Sequence, residues 1–404
     1  MRVSSINLYQ SSLNGVLNSQ QQVEKMNQHL ITNKKLLTAA DGPSDMSKTM
    51  FLTTEITLTE QHLKNGTLLE NALNFEESTL DGMINAMQRA RVLGVQSGDG
   101  LNGEAERKSL AQELRQIQAQ MVDFMNSQNA DGSYVFSGFQ TQKQPYVFDG
   151  TDYKYQGDAG VNELKVSSSV YIQSNDTGQE VFDNVFKRFV TNDLSGNINT
   201  TITDQRAYDS FHKLNYDPIT PANNTFQVQT TAGVPDTYEI LDSGGASLVP
   251  PETGDYVPGQ SINFNGIDIN VSTPAGSANE SFELASPEKD NVLNMLSEYI
   301  VALEDPSLVG DAYVEKQSDF LVGLDNSLES VNLTLGSIGA RGNSLEAVRS
   351  AASSMDLINQ KSRASLSEVD FAEAVSNLQK AELALNTSYS SYSRISQLSL
   401  FNYL

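Results

Sequence analysis

The sequence predicts an α+β, multidomain protein: an α-helical coiled-coil or bundle rod formed by both chain ends, with an inserted antiparallel β-rich domain. Three observations support this prediction. Apolar residues recur at every seventh position near both termini, which is the period of a helix wound against another helix. Nine of the eleven prolines lie between Pro145 and Pro287, and a proline destabilises a helix interior by ~3 kcal/mol. In that same region apolar residues alternate with period two, as they do in half-buried strands.

The N-terminal segment carries the first stripe of apolar residues at seven-residue spacing. Its members are Tyr9, Val16, Val23, Leu30 and Leu37. The remaining positions are rich in Ser, Asn and Gln, so this helix would be marginal on its own. We therefore expect it to pair with the C-terminal segment. An ordinary amphipathic helix on a globular domain is the alternative.

A break and a helical hairpin follow this stripe. Gly42-Pro43 ends the first helix, and Ser44 or Asp45 can cap the next one. Helical spacing resumes from residue 46 to about 96, and a second helix is predicted over 104–129 after a glycine-rich turn. Two helices joined by a tight turn predict an antiparallel hairpin.

The middle of the chain is predicted to form short strands in an antiparallel sandwich or barrel. The alternating segments are 134–136, 146–148, 153–155, 164–166, 170–172, 226–228, 238–240 and 262–264. Short helices are predicted within the same region, over 182–189 and 205–214.

Helical spacing returns after Pro287. A helix is predicted from Val292 to near Pro306, and a long one from about Asp311, with a bend at 336–342. It continues into a second seven-residue stripe, made of Leu357, Ala364, Phe371, Leu378, Leu385 and Tyr392. The chain then finishes on an apolar cluster of Leu398, Leu400, Phe401, Tyr403 and Leu404. Exposed apolar clusters usually mark contact surfaces, so we expect a partner to cover this end.

These patterns predict three domains. Residues 1–45 and 360–404 form the terminal coiled-coil helices, the polymerising inner domain. Residues 46–131 and 288–359 form a helical-hairpin rod. Residues 132–287 form the β-rich outer domain.

Composition excludes several classes of function. The chain has no cysteine, hence no disulfide, thiolate metal site or thiol nucleophile. Its net charge of −24 argues against nucleic-acid binding. Residues 132–287 carry 7 basic and 19 acidic side chains, whereas 361–404 carry 4 of each, so the termini can pack against copies of themselves with little repulsion. We expect neither membrane insertion nor a cleavable secretory leader.

No catalytic, metal or cofactor-binding site is predicted, and we expect a protein that is not an enzyme. The three histidines, His29, His62 and His212, are scattered without metal-ligand spacing. Residues 149–158 are acidic and turn-like but lack the ligand spacing of an EF-hand. We interpret them as a hairpin turn, with a calcium site as the alternative.

The N-terminal 52 residues resemble those of the bacterial flagellin superfamily, whose first helix opens with Met-Arg-Ile-Ser. The family has a Gly-Lys-Arg-Ile-like turn where this chain has Asn33-Lys34-Lys35-Leu36. It has an Asp-Asp-Pro motif where this chain has Asp41-Gly42-Pro43-Ser44-Asp45. Residues 132–146 and the ending Ser399-Leu-Phe-Asn-Tyr-Leu404 are similar to the hook–filament junction members of the family. The resemblance covers roughly residues 1–145 and 290–404.

The resemblance implies a structural flagellar subunit that forms a ring between the hook and the filament. Implied partners are other copies of the chain, the other junction protein (FlgK type), flagellin and an export chaperone of the FlgN type. It also implies an extracellular protein, exported through the type III route without cleavage of a leader. The first stripe would then be an assembly interface, and the second an assembly or chaperone interface, comprising Phe371, Leu378, Leu385, Tyr392, Leu400, Phe401 and Leu404. A flagellin that forms the filament body, and a β insert that serves as a binding or adhesive module or carries an enzyme, are the alternatives.

Overall fold

The computed structural model describes residues 2–98 and 103–401, with side chains over 7–98 and 103–396. Its α-helices are α1 (Arg2–Thr32), α2 (Pro43–Ser97), α3 (Glu104–Met125), α4 (Gln205–Asn215), α5 (Val292–Glu304), α6 (Asp311–Ser367) and α7 (Phe371–Phe401). Two 3₁₀ helices, Ala39–Asp41 and Pro221–Asn224, and a π-helical turn, Gln179–Asp183, are also present.

The strands all lie between α3 and α5. They are β1 (Tyr146–Phe148), β2 (Tyr153–Tyr155), β3 (Glu163–Lys165), β4 (Tyr171–Gln173), β5 (Val185–Phe186), β6 (Thr191–Asp193), β7 (Ile198–Ile202), β8 (Thr225–Thr231), β9 (Thr237–Leu241), β10 (Ser247–Asp255), β11 (Ser261–Phe264), β12 (Ile267–Val271), β13 (Glu280–Leu284) and β14 (Lys289–Asp290). Long helices at both ends with an inserted antiparallel β region confirm the predicted fold class.

The chain divides into two compact units. The first comprises Met1–Glu70, Leu164–Ile172 and Gly342–Leu404, and the second comprises Asn71–Glu163 and Gln173–Arg341. The three domains predicted from the sequence use other boundaries, and that division stays a prediction.

In the first unit, α1 packs along α7, and the first half of α2 lies against the last part of α6. Gly66 permits close approach of the second pair, since a Cβ atom there would lie 3.3 Å from Cδ1 of Leu345. One turn further along, Arg349 forms an ion pair of 2.5 Å with Glu70. The first unit therefore contains two helix pairs, α1 with α7 and α2 with α6.

In the second unit, α3 packs against α5. The buried residues of α3 follow helical spacing and include Leu110, Leu114, Ile117 and Met121. The amide of Gln118 donates to the carbonyl oxygen of Leu293 at 2.9 Å, and Arg115 forms an ion pair with Glu304 at 2.5 Å. Helix α3 also contacts α2 through an ion pair of 2.5 Å between Arg89 and Glu113, so α5 adds a third helix to the hairpin of α2 and α3.

The two largest antiparallel sheets of the second unit share a single core. One has the strand order β10-β9-β8-β13-β6, and the other has the order β11-β12-β7. Alternate residues of β8, β12 and β13 are buried and belong to a single core, with Phe226, Ile269 and Phe282 among its members. Strand β10 lies at a sheet edge, where its register against β9 shifts between Ser247 and Glu252. It carries Pro250 and Pro251, which have no N–H group to donate.

Several elements differ from the sequence predictions. Residues 134–136 are not a strand, because Tyr134 forms only an isolated bridge to Gln128. Residues 182–189 are not a helix, because the π-helical turn ends at Asp183 and β5 follows. Helix α6 continues through 336–342 without interruption, whereas the chain breaks at 368–370, which the continuous second stripe did not predict. The sequence analysis did not predict seven of the strands, namely β5, β6, β7, β10, β12, β13 and β14.

Candidate functional site: the paired terminal helices

Helices α1 and α7 form an antiparallel pair, as the two apolar stripes predict. The Tyr9 hydroxyl lies 2.7 Å from the Tyr392 hydroxyl, and their ring centroids are 5.4 Å apart. Further along, Oγ of Ser19 lies 3.1 Å from Oγ of Ser388. Because residues near the start of α1 contact residues near the end of α7, the two helices run in opposite directions.

Small and apolar side chains fill the seam between these helices. Val16 on α1 and Ala374 and Ala381 on α7 are buried. The predicted stripe residues Val23, Leu30, Leu378, Leu385 and Tyr392 are half-buried. Alanine at the buried α7 positions lets the two backbones approach closely, which compensates for the modest apolar content of α1.

A backbone clasp, formed by residues 33–35 and 367–369, joins the ends of α1 and α6. The N–H of Lys35 donates to the carbonyl oxygen of Ser367 at 2.7 Å, and the N–H of Val369 donates to that of Asn33 at 3.4 Å. Asn33 has a φ of 53°, a left-handed conformation that asparagine tolerates better than most residues. This explains how asparagine can stand where the flagellin pattern has glycine.

The loop after the clasp is fixed by Asp41. Its carboxylate accepts hydrogen bonds from the N–H groups of Leu37 and Thr38, at 3.1 and 2.9 Å, and forms an ion pair of 2.5 Å with Lys25 of α1. Lys25 and these backbone donors hold the pKa of Asp41 well below its usual range. The short acidic motif therefore ties the start of α2 back to α1.

The structure places several stripe residues away from the seam, among them Leu357 and Ala364, which lie on α6. Leu37 is not on the N-terminal helix, because α1 ends at Thr32, where the clasp begins. Phe371 is the first residue of α7 and is 68% exposed, so it does not fill the seam. Leu400 and Phe401 lie on the last turn of α7, outside the described side chains, and Leu404 lies outside the described residues.

Exposed apolar residues on both helices were not assigned to the site from the sequence. They are Leu8, Leu17 and Ile31 on α1, and Leu383 and Tyr389 on α7. None of them lies at a position of the two stripes, so the seven-residue spacing does not identify them. Ile31 is 82% exposed and Leu383 is 69% exposed, which leaves apolar surface available for a further partner.

A cleft of about 350 Å³ lies beside the clasp, lined by His29, Lys35, Glu368, Asp370 and Glu373 among others. His29 is buried and its Nδ1 lies 2.7 Å from the carbonyl oxygen of Lys34. Across the described chain, no group of three or more His, Asp or Glu side chains is arranged to hold a metal ion. No helix in the described ranges combines the length and apolarity that a membrane crossing requires.

Both ends of the chain match known protein families. Residues 3–141 match the bacterial flagellin N-terminal helical region, and residues 322–404 match the bacterial flagellin C-terminal helical region. These two segments contain α1 and α7, the pair that forms the candidate site.

Similar proteins cover most of the chain. It is 23% identical to flagellar hook-associated protein 3 of Escherichia coli over 407 aligned residues, which cover 99% of each chain. It is 28% identical to flagellar hook-associated protein 3 of Salmonella typhimurium over 185 residues, 46% of this chain and 58% of that protein. The crystal structure of the flagellar junction protein FlgL from Legionella pneumophila matches with a TM-score of 0.57 and 23% identity, over 79% of this chain and 99% of that one. This last likeness supports the fold.

Proposed function

Because the chain belongs to the bacterial flagellin superfamily, we propose that it is a structural, non-enzymatic subunit at the junction of the flagellar hook and filament. The observation that carries the proposal is the alignment with a hook-associated protein 3 over 99% of both chains. The flagellin matches at both ends, and the pairing of those ends, are consistent with this role.

Self-association into a ring is the second part of the proposal. The pair of α1 and α7 leaves Ile31 and Leu383 exposed, and residues 361–404 carry no net charge. Apolar surface without net charge favours close contact between copies. We infer that these helices contact neighbouring copies, with a FlgK-type junction protein and flagellin as the adjoining components.

The remaining parts of the proposal concern the route to the filament. The protein would be exported without cleavage of a leader and would act outside the cell. An FlgN-type chaperone would cover the apolar carboxyl end before export. The apolar cluster at that end, Leu398, Leu400, Phe401, Tyr403 and Leu404, motivates this assignment.

Deletion of the gene in its native bacterium tests the proposal. We expect cells that keep their hooks, lack filaments and release unassembled flagellin into the medium, with filaments restored when the intact gene is supplied. Normal filaments in the deletion strain would contradict a junction role.

A flagellin that forms the filament body is the alternative, because both family matches describe flagellin regions. The number of copies separates the two functions. In sheared and purified filaments, a junction protein is a trace component near the hook, whereas a flagellin is the main component.

A further inference from the structure

Three elements of the second unit meet at a buried cluster of charged side chains. Glu76 of α2 is fully buried, and Asp176, in the segment 173–178, is 8% exposed. The side chain of Arg341, on α6, is 12% exposed. The N–H of Asp176 donates to Oε1 of Glu76 at 3.0 Å, and the guanidinium of Arg341 forms an ion pair with the Asp176 carboxylate. This cluster joins segments that are 100 and 165 residues apart in the sequence.

Several hydrogen bonds hold the segment 173–178 in place, and those of the cluster connect it to α2 and α6. Within the segment, the amide of Gln173 donates to Oδ1 of Asp176 at 2.8 Å. Arg341 also donates to the carbonyl oxygen of Gln173, at 3.5 Å. At its far end, the N–H of Gly178 donates to the carbonyl oxygen of Phe136 at 2.8 Å. Asp176 therefore contacts both α2 and α6, and Gln173 adds a second contact to α6.

The charges of the cluster do not balance when both carboxyl groups are ionised. Asp176 and Arg341 are the charged groups that face Glu76, and Arg341 is already paired with Asp176. In the described structure, Oε2 of Glu76 has no hydrogen-bond donor. An ionised Glu76 would therefore place an uncompensated charge in the interior beside a second carboxylate, which is strongly unfavourable.

We propose that Glu76 holds a proton in the folded protein and that this proton controls a latch, which fastens the segment 173–178 to α2 and α6. With the proton bound, Asp176 and Arg341 form a neutral pair, and Glu76 serves as a neutral acceptor for the N–H of Asp176. Loss of the proton leaves two carboxylates side by side, and their repulsion releases the segment from α2 and α6. Burial, followed by the charge of Asp176, raises the pKa of Glu76 to about 8, so the latch opens in mildly alkaline solution.

Hydrogen exchange on the full chain tests the latch, with Glu76→Gln as a permanently neutral replacement. The exchange rates of amides 174–177 are measured from pH 6 to pH 9 in both proteins. The ratio of the wild-type rate to the Glu76→Gln rate at each pH removes the intrinsic pH dependence of amide exchange. We expect a ratio near one at pH 6 that rises roughly tenfold by pH 9, because only the wild type loses the proton. Amides of α3 serve as internal references, and Glu70→Gln, on the same helix, is the matched control.

A ratio that stays flat across this range would overturn the proposal. A second measurement does not depend on the folding of the variant. The side-chain carboxyl carbon of Glu76, observed by NMR in the ¹³C-labelled wild type and assigned with Glu76→Gln or Glu76→Asp, should titrate above pH 7. Titration below pH 6 would show that Glu76 is ionised in the folded protein at neutral pH and that no proton latch exists.

Discussion

The hydroxyl groups of Tyr9 and Tyr392 lie 2.7 Å apart although 383 positions separate the two residues in the chain. Together with the contact between Ser19 and Ser388, this hydrogen bond fixes the register of α1 against α7. A slip of one helical turn would displace one helix by ~5 Å and would break both contacts. The pair therefore has one defined alignment within a single chain.

A disulfide should report this register. Oγ of Ser19 and Oγ of Ser388 are 3.1 Å apart, and the chain contains no cysteine, so Ser19→Cys combined with Ser388→Cys creates a unique pair. The two sulfur atoms would need to move only slightly to reach bonding distance, so we expect an intramolecular disulfide. It would be seen in denaturing electrophoresis as a mobility shift that a reductant reverses. Ser19→Cys with Ser393→Cys, which places the second thiol on another face of α7, should not close. Crosslinking of the control alone would show a different register.

Leu383 should matter for assembly and not for folding. Its side chain is 69% exposed on α7, so Leu383→Glu is expected to change the free energy of unfolding by no more than about 0.5 kcal/mol. In the proposed ring, a charge there would be buried against a neighbour, and filaments should fail to form on hooks. Leu214→Glu is the matched control, since Leu214 is 87% exposed on α4, in the β region. Filament counts on cells that carry each variant measure the effect, and normal filaments with Leu383→Glu would exclude this face from the interface.

His212 should make the β region sensitive to acid. Its buried ring stacks between Phe189 and Tyr216, at centroid distances of 4.4 and 5.0 Å, and Nε2 donates to the carbonyl oxygen of Ala285 at 2.8 Å. Burial lowers the pKa of His212 below its usual value. The neutral ring therefore contributes stability that is complete above the unfolded pKa of about 6.5 and is lost as the pH falls through the lower folded pKa.

Calorimetry of the wild type and of His212→Gln between pH 8 and pH 5 checks this expectation. The glutamine cannot stack, so the variant should lose roughly 1–3 kcal/mol at pH 8. The difference in free energy of unfolding between the two proteins should narrow toward pH 5, because the wild type then buries a charged imidazole, which is unfavourable. His62→Gln is the control for a histidine elsewhere in the chain. A gap that is the same at both pH values would show that His212 does not titrate in this range.

Arg107 should stabilise the end of α5. Its guanidinium donates to the carbonyl oxygens of Ala302 at 2.6 Å, Asp305 at 3.2 Å and Leu308 at 3.0 Å. It also lies 4.4 Å above the ring of Tyr313. Lysine keeps the charge but cannot reach three carbonyl groups with one planar fork, so Arg107→Lys should cost roughly 1–3 kcal/mol in denaturant unfolding. Arg206→Lys, at an exposed site on α4, should leave the unfolding midpoint unchanged. Equal midpoints for both variants would exclude this capping role.

Periodicity predicted the helices and their pairing well, because those features depend on side chains that recur at fixed intervals. The seven-residue stripes identified Val16, Leu378 and Leu385 as residues of the seam, and Ala381 lies at a position three residues on from Leu378. The same pattern did not reveal that Leu37 lies outside α1 or that Phe371 is exposed. Both lie where the backbone clasp interrupts the helices, and hydrogen bonds between main-chain groups leave no mark on apolar spacing.

The charged cluster was outside the reach of sequence reasoning for a different reason. Glu76 sits in a polar, helical stretch, and its position alone suggests an exposed residue. Only the fold brings Asp176 and Arg341 close to Glu76, and Asp176 lies 100 residues from Glu76 in the sequence. Contacts of this kind follow from the packing of α2 and α6 and not from any local pattern.

The edge strand β10 affects whether neighbouring copies of the chain can aggregate through their sheets. An open sheet edge offers unpaired backbone groups that can template the addition of a foreign strand and begin aggregation. Pro250 and Pro251 have no N–H group to donate, and the shifted register near Glu252 breaks the regular spacing of this edge. In the proposed ring, where neighbouring copies would lie close together, this edge would therefore resist the addition of a strand from a neighbour.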